Sequence, residues 1–338
     1  MIRAMRLVLG VALAGVVALV PAAAEEGEGA EAAGPPISLL CMDPATGRVL
    51  YEQNADLRRP PASMLKLKLL LLVDEGLDRG DWSLEQPITT SAWAAYMGGT
   101  QLRLEEGDTW PLGTLLPGIA VASANDASVA VAEALWGSER AALDAMNRRA
   151  VTLGMLDTEY HSTNGLPPDE GEAFDQTTAR DMAVLARAVL ARPRLMHWLS
   201  LPQYQLAPDK PLKRNTNKLM RYVPGCDGLK TGYIRAAGFC VAATAERNGL
   251  RLLAVVMGVP GSQARFDLAE QLLEDGFAQA RRMRLARAGD AAGPDIRLPN
   301  GTPNRIRPVF EGDFVVTARA SEEATLTMVP RVPASLMA

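Results

Sequence analysis

Ser63-Met64-Leu65-Lys66-Leu67-Lys68-Leu69-Leu70-Leu71-Leu72-Val73 puts a hydroxyl and an amine three residues apart at the head of a run that is apolar nearly all round. A spacing of three places two side chains one helical turn apart on the same face. Pro60 and Pro61 suit an extended entry into a helix start. The apolar run predicts a buried helix. A serine hydroxyl is a weak nucleophile until something removes its proton. Burial disfavours the ammonium form of a lysine, and so does a second cation nearby. Ser63 and Lys66 are therefore candidates for nucleophile and general base, with Lys66 acting as the neutral amine. Lys68 lies five residues from Ser63 and is expected on another face, its stem along apolar surface and its amine in water.

Two further triplets follow at gaps of about 60 and about 105 residues, Ser123-Ala124-Asn125 and Lys230-Thr231-Gly232. S-x-x-K alone is expected roughly once by chance in a chain this long, and K-T-G in roughly one such chain in ten. The information lies in the joint order, spacing and flanks. Ser123 and Asn125 sit in a small-residue stretch, Gly118 to Ala132, that should pack tightly against a neighbour; Ser, Asn and Asp there also suit a helix N-cap. Gly225 to Ile234 reads as a strand bracketed by turns, and Gly238 to Ala245 as its returning partner. Lys230 adds positive potential, Thr231 can donate to a carboxylate, and Gly232 allows a ligand close to the backbone.

With these motifs in place the chain resembles the serine-type D-alanyl-D-alanine carboxypeptidases, the low-molecular-mass penicillin-binding proteins. Leu39 to Asn54 resembles the family's opening hairpin, Pro61-Ala62-Ser63-Met64 its approach to the nucleophile, and Asn164-Gly165-Leu166 part of its helical middle. Asn215 to Lys218 precedes the third motif, and Arg265-Phe266 heads what resembles the closing helix. The likeness runs over roughly residues 37 to 282. It implies an acyl-enzyme on Ser63, a proton relay through Ser123, and a substrate-amide contact by Asn125. It further implies an oxyanion hole from the backbone N–H groups of Ser63 and Tyr233, and an arginine for the terminal carboxylate at Arg265. The implied substrates are peptidoglycan stem peptides ending in D-Ala-D-Ala, with β-lactams as covalent inhibitors and no cofactor or metal. Leu65 stands where the family usually has threonine, and Met97 to Leu102 replaces a more serine-rich stretch.

The element order, strands then helices from about 63 to 200 then strands and a final helix, predicts an α+β architecture. The expected fold is a two-lobe β-lactamase/transpeptidase-like one: an antiparallel sheet flanked by helices, a helical lobe, and a small C-terminal β-rich segment. Residues 1–24 read as a signal peptide, with Arg3 and Arg6 before an apolar run and a small-residue site at Pro21 to Ala24. Residues 25–36 read as a flexible arm, 37–282 as the catalytic domain, 283–294 as a linker, and 295–338 as a small or truncated β-rich domain. Export beyond the cytoplasmic membrane follows, with no membrane anchor expected after signal cleavage.

The 338 residues are 48% hydrophobic and 22% charged, with a formal charge of −4, which is ordinary globular composition and, without a long basic run, argues against a nucleic-acid partner. A disulfide between Cys226 and Cys240, on the two arms of the expected hairpin, is geometrically conceivable. His161 and His197 are too few for a zinc peptidase and read as structural or surface residues. Trp93, Trp110, Trp136 and Trp198 read as core. Two rivals remain open at this level. A class A β-lactamase shares the motifs but needs a further glutamate, for which Glu159 stands at a plausible distance. A non-catalytic cell-wall binding protein on the same scaffold is the other.

Overall fold

A computed structural model describes residues 36–293, 295–297 and 305–319. The expected signal peptide, and the arm except for Pro36, lie outside the described residues. Contacts divide the chain into a large unit, residues 34–280, and a smaller one that includes the described residues after 280.

The large unit opens with strands β1 (Ser38–Asp43) and β2 (Arg48–Gln53). A 3-10 turn, Ala62–Leu65, then runs directly into α1 (Lys66–Arg79). Next come β3 (Pro87–Thr89), α2 (Ala92–Tyr96), β4 (Thr109–Pro111), α3 (Leu112–Ala122) and α4 (Asn125–Trp136). Helices α5 (Glu139–Leu153), α6 (Ala179–Leu190) and α7 (Pro193–Leu199) complete the helical part. Two short strands, β5 (Gln203–Tyr204) and β6 (Lys213–Arg214), lead through a 3-10 turn, Lys218–Arg221, to β7 (Cys226–Ile234). Strands β8 (Gly238–Arg247) and β9 (Leu250–Val259) and helix α8 (Ala264–Gln279) close the unit.

Five strands form one sheet in the order β2-β1-β9-β8-β7, with antiparallel neighbours throughout. The first and last segments of the unit thus meet side by side. The β8–β9 connection is Asn248-Gly249, both at positive φ (50° and 76°), the two-residue hairpin that matches strand twist. Strand β9 is buried on both faces, and its alternation sorts the core. Leu253, Val255 and Met257 join the helical core, while Leu252, Ala254 and Val256 pack with Phe266, Ala269, Leu272 and Leu273 of α8. This is the expected antiparallel sheet with helices on its faces and a helical body on one side.

Helix α1 is the axis of that body. Leu67, Leu69, Leu70, Leu71 and Val73 are all buried, and α3, α5, α6 and α7 pack around it. Gly80, at φ 78°, ends it with the left-handed residue that helix termini favour. Asp74 anchors its last turns, accepting from Arg192 Nε (2.5 Å) and Arg194 Nη1 (2.9 Å), and Arg149 clasps Glu75.

Because α1 is surrounded, it has no solvent side at position 68, and the expected surface placement of Lys68 is corrected. Lys68 is fully buried, with its Nζ 3.3 Å from Met155 Sδ. Burial first, then the neighbouring charge of Arg149, pushes its amine down to about 7. Trp93 is corrected as well. Trp198 is core, and Trp110 and Trp136 pack against it, but Trp93 is 52% exposed on α2. Cys226 and Cys240 are free thiols, and Cys240 pairs across the hairpin with Gly232, six residues along β7 from Cys226.

In the smaller unit β10 (Ala280–Ala286) pairs with β13 (Phe314–Arg319), and β11 (Ile296–Arg297) with β12 (Arg305–Ile306). The stretch expected as a linker from 283 therefore begins as strand, and β-structure follows among the described residues. No helix of the described residues is long and apolar enough to cross a membrane.

The buried Lys68 amine yields a test of stability. An unfolded lysine titrates near 10.5, whereas Lys68 in the fold titrates at about 7. Between those values the unfolded chain holds a proton that the folded chain lacks, so stability falls as pH drops from about 10.5 to 7 and the penalty is complete below 7. Lys68→Met, of similar shape and without the charge, should raise the thermal midpoint at pH 7 by more than at pH 10. A midpoint lowered equally at both pH values would show that the amine carries no penalty.

Candidate active site

The 3-10 turn carries Ser63 and hands over to α1 at Lys66, so the two side chains share a face. Lys66 is fully buried, and its Nζ contacts Ser63 Oγ (2.9 Å), Asn125 Oδ1 (2.8 Å) and the backbone carbonyl of Asn164. The last two partners are pure acceptors. A neutral amine has two N–H bonds and one lone pair. In the neutral form, with both N–H bonds on Asn125 and Asn164, the lone pair would face the Ser63 hydroxyl. Burial, and then the charge of Lys230, hold the amine well below the ordinary lysine range; Asp175 and Asp126 oppose this. Lys66 thus lies in contact with the Ser63 hydroxyl, with its charged form disfavoured.

Ser123 sits between α3 and α4 in left-handed conformation, φ 61° and ψ 35°. The alternative reading as an N-cap is not what the fold uses: Ser123 ends α3, and α4 begins at Asn125 without a side-chain cap. The Ser123 Oγ is buried with no hydrogen-bond partner among the described residues. Asn125 is fixed from the loop after α2. Its Nδ2 donates to Gly98 O (2.7 Å) and its backbone N–H to Thr100 O (2.8 Å), while Thr100 Oγ1 donates to Ser123 O (3.0 Å). Asp126 accepts from the Leu102 and Leu104 amides (3.0 and 3.1 Å), tying the same loop down.

Strand β7 brings the third motif. Lys230 is fully buried, and its Nζ donates to Thr231 O (3.1 Å). Burial and then Arg265 push its amine down to about 7. Thr231 Oγ1 donates to Thr216 Oγ1 (2.8 Å), and Asn217 Nδ2 donates to Gly228 O (2.7 Å), so residues 216–217 brace the strand. Gly232 also has a packing role. A Cβ there would stand 2.6 Å from Pro61 O and 3.2 Å from Met64 N, so the missing side chain lets β7 meet the Ser63 turn itself. Tyr233 is half-exposed and stacks on Phe239, ring centroids 4.1 Å apart.

Arg265 is largely buried at the head of α8, between the rings of Phe239 and Phe266. Its Nη1 donates to Gly232 O (3.1 Å) and Cys240 O (3.4 Å), and its Nε has no partner among the described residues. It thus grips the backbone of the third motif. The glutamate a class A β-lactamase would need has no match at Glu159, which is exposed and 3.6 Å from His161 Nε2.

Sequence reading missed the Asn164 carbonyl, Thr216, Thr100 and Asp126. The only sequence hint of the first of these was a glycine at 165: it adopts φ 78°, and a Cβ there would fall 2.4 Å from the Ala62 carbonyl, so the 164–165 segment lies against the Ser63 turn.

Comparison with known proteins gives one family. A family model described as D-alanyl-D-alanine carboxypeptidase matches residues 30–261. The D-alanyl-D-alanine carboxypeptidase DacF of Bacillus subtilis is 37% identical over 245 residues, 72% of this chain; the chain spans 62% of that relative's length. Penicillin-binding protein 5 from Haemophilus influenzae superposes with a TM-score of 0.77 at 26% identity, covering 87% of this chain and 86% of that one. Penicillin-binding protein D2 from Listeria monocytogenes, solved in an ampicillin-bound form, has a TM-score of 0.64 at 30% identity, covering 71% of this chain and 96% of that one.

The close seat of Gly232 generates a prediction. Gly232→Ala should push β7 off the Ser63 turn at a cost of about 1–3 kcal/mol of stability. Covalent labelling of Ser63 by a fluorescent penicillin should slow by roughly tenfold or more. A labelling rate equal to wild type would show that this packing does not set the geometry of Ser63.

Proposed function

The chain belongs to the D-alanyl-D-alanine carboxypeptidase family, and we propose that it removes the terminal D-alanine from peptidoglycan stem peptides through an acyl-enzyme on Ser63. The observation that carries this reading is the triple contact of the Lys66 amine, which leaves a lone pair for the Ser63 hydroxyl.

In the proposed cycle Lys66 takes the proton of Ser63 as Oγ attacks the carbonyl between the two D-alanines. The backbone N–H groups of Ser63 and Tyr233 receive the charge that develops on the carbonyl oxygen. The buried Ser123 Oγ passes a proton from Lys66 to the departing nitrogen, the C–N bond breaks, and D-alanine leaves with an ester remaining on Ser63. Water then adds to the ester, returning the hydroxyl and releasing the shortened peptide. Lys230, Thr231 and Arg265 provide positive potential and donors for the terminal carboxylate, with Arg265 also bracing the Gly232 carbonyl. Asn125 offers its amide to the substrate backbone as well as to Lys66. A β-lactam carries a strained amide and a carboxylate in the same relation, and should acylate the same oxygen. Such a substrate lies outside the cytoplasmic membrane, in keeping with the proposed leader at residues 1–24.

The test has two readouts. Purified protein should release D-alanine from a peptide ending in D-Ala-D-Ala and gain one penicillin mass mapped to Ser63. Ser63→Ala should abolish both. An adduct on another residue, or turnover surviving in Ser63→Ala, would contradict the assignment.

A further inference from the structure

Asn164 reaches Lys66 with its backbone carbonyl, and a carbonyl cannot be aimed by choice of side chain. Something must hold the loop. Asp175, nearly fully buried just ahead of α6, accepts from two successive backbone N–H groups, those of His161 (2.6 Å) and Ser162 (2.9 Å), through Oδ1. Its Oδ2 accepts from the Ser162 hydroxyl (2.8 Å). A carboxylate only accepts, so the single Ser162 hydrogen is committed to Asp175, and the serine's lone pairs face elsewhere. One of them accepts from the Gly165 N–H (2.8 Å). The 164–165 peptide is planar and trans, so its N–H and C=O point in opposite directions. Holding the Gly165 N–H on Ser162 therefore aims the Asn164 carbonyl the other way, where Lys66 Nζ and Ser63 Oγ (3.4 Å) meet it. Glu139 secures the intervening residue, accepting from Thr163 Oγ1 (2.6 Å) and its N–H (3.3 Å).

We propose that Asp175 and Ser162 are positioning residues for the acylation step: a chain of directed hydrogen bonds from the Asp175 carboxylate through the Ser162 hydroxyl to the Gly165 amide orients the Asn164 carbonyl, which fixes the Lys66 amine against Ser63. This deepens the carboxypeptidase reading and rests on it. The groups that bear on Lys66 are Lys230 from β7, Asp126 from the start of α4, and Asp175 itself, with Ser63, Asn125 and Asn164 uncharged. Asp175 in turn faces His161 and the buried Tyr160.

The experiment measures the acylation rate by fluorescent penicillin, per serine finally labelled, between pH 5 and 10, for wild type, Ser162→Ala, Ser162→Thr and Asp175→Asn. Counting per labelled serine removes any misfolded fraction. Ser162→Ala keeps the carboxylate but breaks the relay, and its plateau should fall roughly tenfold or more. Ser162→Thr keeps the hydroxyl and should stay near wild type. Asp175→Asn should lose plateau rate and also move its acid limb to lower pH, because Lys66 loses a negative neighbour that favours its protonated form. Wild-type rates and profiles in both Ser162→Ala and Asp175→Asn would overturn the proposal, as would an Asp175→Asn loss without a moved limb. If Asp175→Asn does not fold, Ser162→Ala against Ser162→Thr decides alone. Failure of the wild type itself to label would count against the carboxypeptidase reading instead.

Discussion

A lysine amine taken wholly out of water must either be supplied with acceptors and countercharge or lose its proton. Lys66 receives acceptors from two segments distant in the chain, the Asn125 side chain and the Asn164 carbonyl, while Lys230 adds like charge. Much of the large unit serves that one atom. Helix α1 is buried so that its first residue is dry. The loop after α2 is pinned by Asp126 so that Asn125 is still. The 160–166 loop is fastened by Asp175 and Glu139 so that a carbonyl points inward. Gly232 lets β7 come close enough to seat the third motif beside the Ser63 turn.

Such an arrangement costs stability. Lys66, Lys68 and Lys230 are all fully buried, and in each the burial itself opposes the charged form. The Ser123 hydroxyl and the Arg265 Nε are buried without partners among the described residues. Each such group costs about 1–3 kcal/mol when left unpaired. Offsetting this are a continuous apolar core around α1 and the sheet, and the arginine clasps at Asp74 and Glu75. Ser123, Arg265 and Lys66 belong to the proposed chemistry, where unspent hydrogen-bonding capacity has a use. Lys68 has no such role in the cycle, and nothing in the structure explains why an amine stands there.

What was legible in the sequence was local or periodic. The Ser63–Lys66 spacing encodes a shared face by itself, and the leucines after it encode burial. The alternation from Gly225 to Ala245 encodes the β7–β8 hairpin. Position 68 was misread because face assignment supposes a wet side, and only tertiary packing reveals that α1 has none. Ser123 was open to reading as a helix start, but the backbone turns left-handed there, and no side-chain pattern announces that conformation in a serine. Asn164 acts through its carbonyl, which every residue possesses, so its part was invisible until the loop was folded. Asp175 and Ser162 act on one another and on backbone amides, which no sequence pattern marks. The 283–286 stretch looked like linker because its strand partner, β13, lies some 30 residues on.

The central claim is that the buried Lys66 amine gives up its proton far more readily than an ordinary lysine and is turned toward Ser63. Titration of the Lys66 side-chain nitrogen by NMR in lysine-labelled protein, assigned by comparison with Lys66→Arg, tests it directly. The account predicts an amine that takes up its proton only at a pH well below the ordinary lysine value of 10.5. An ammonium signal that persists unchanged to pH 9 would contradict it.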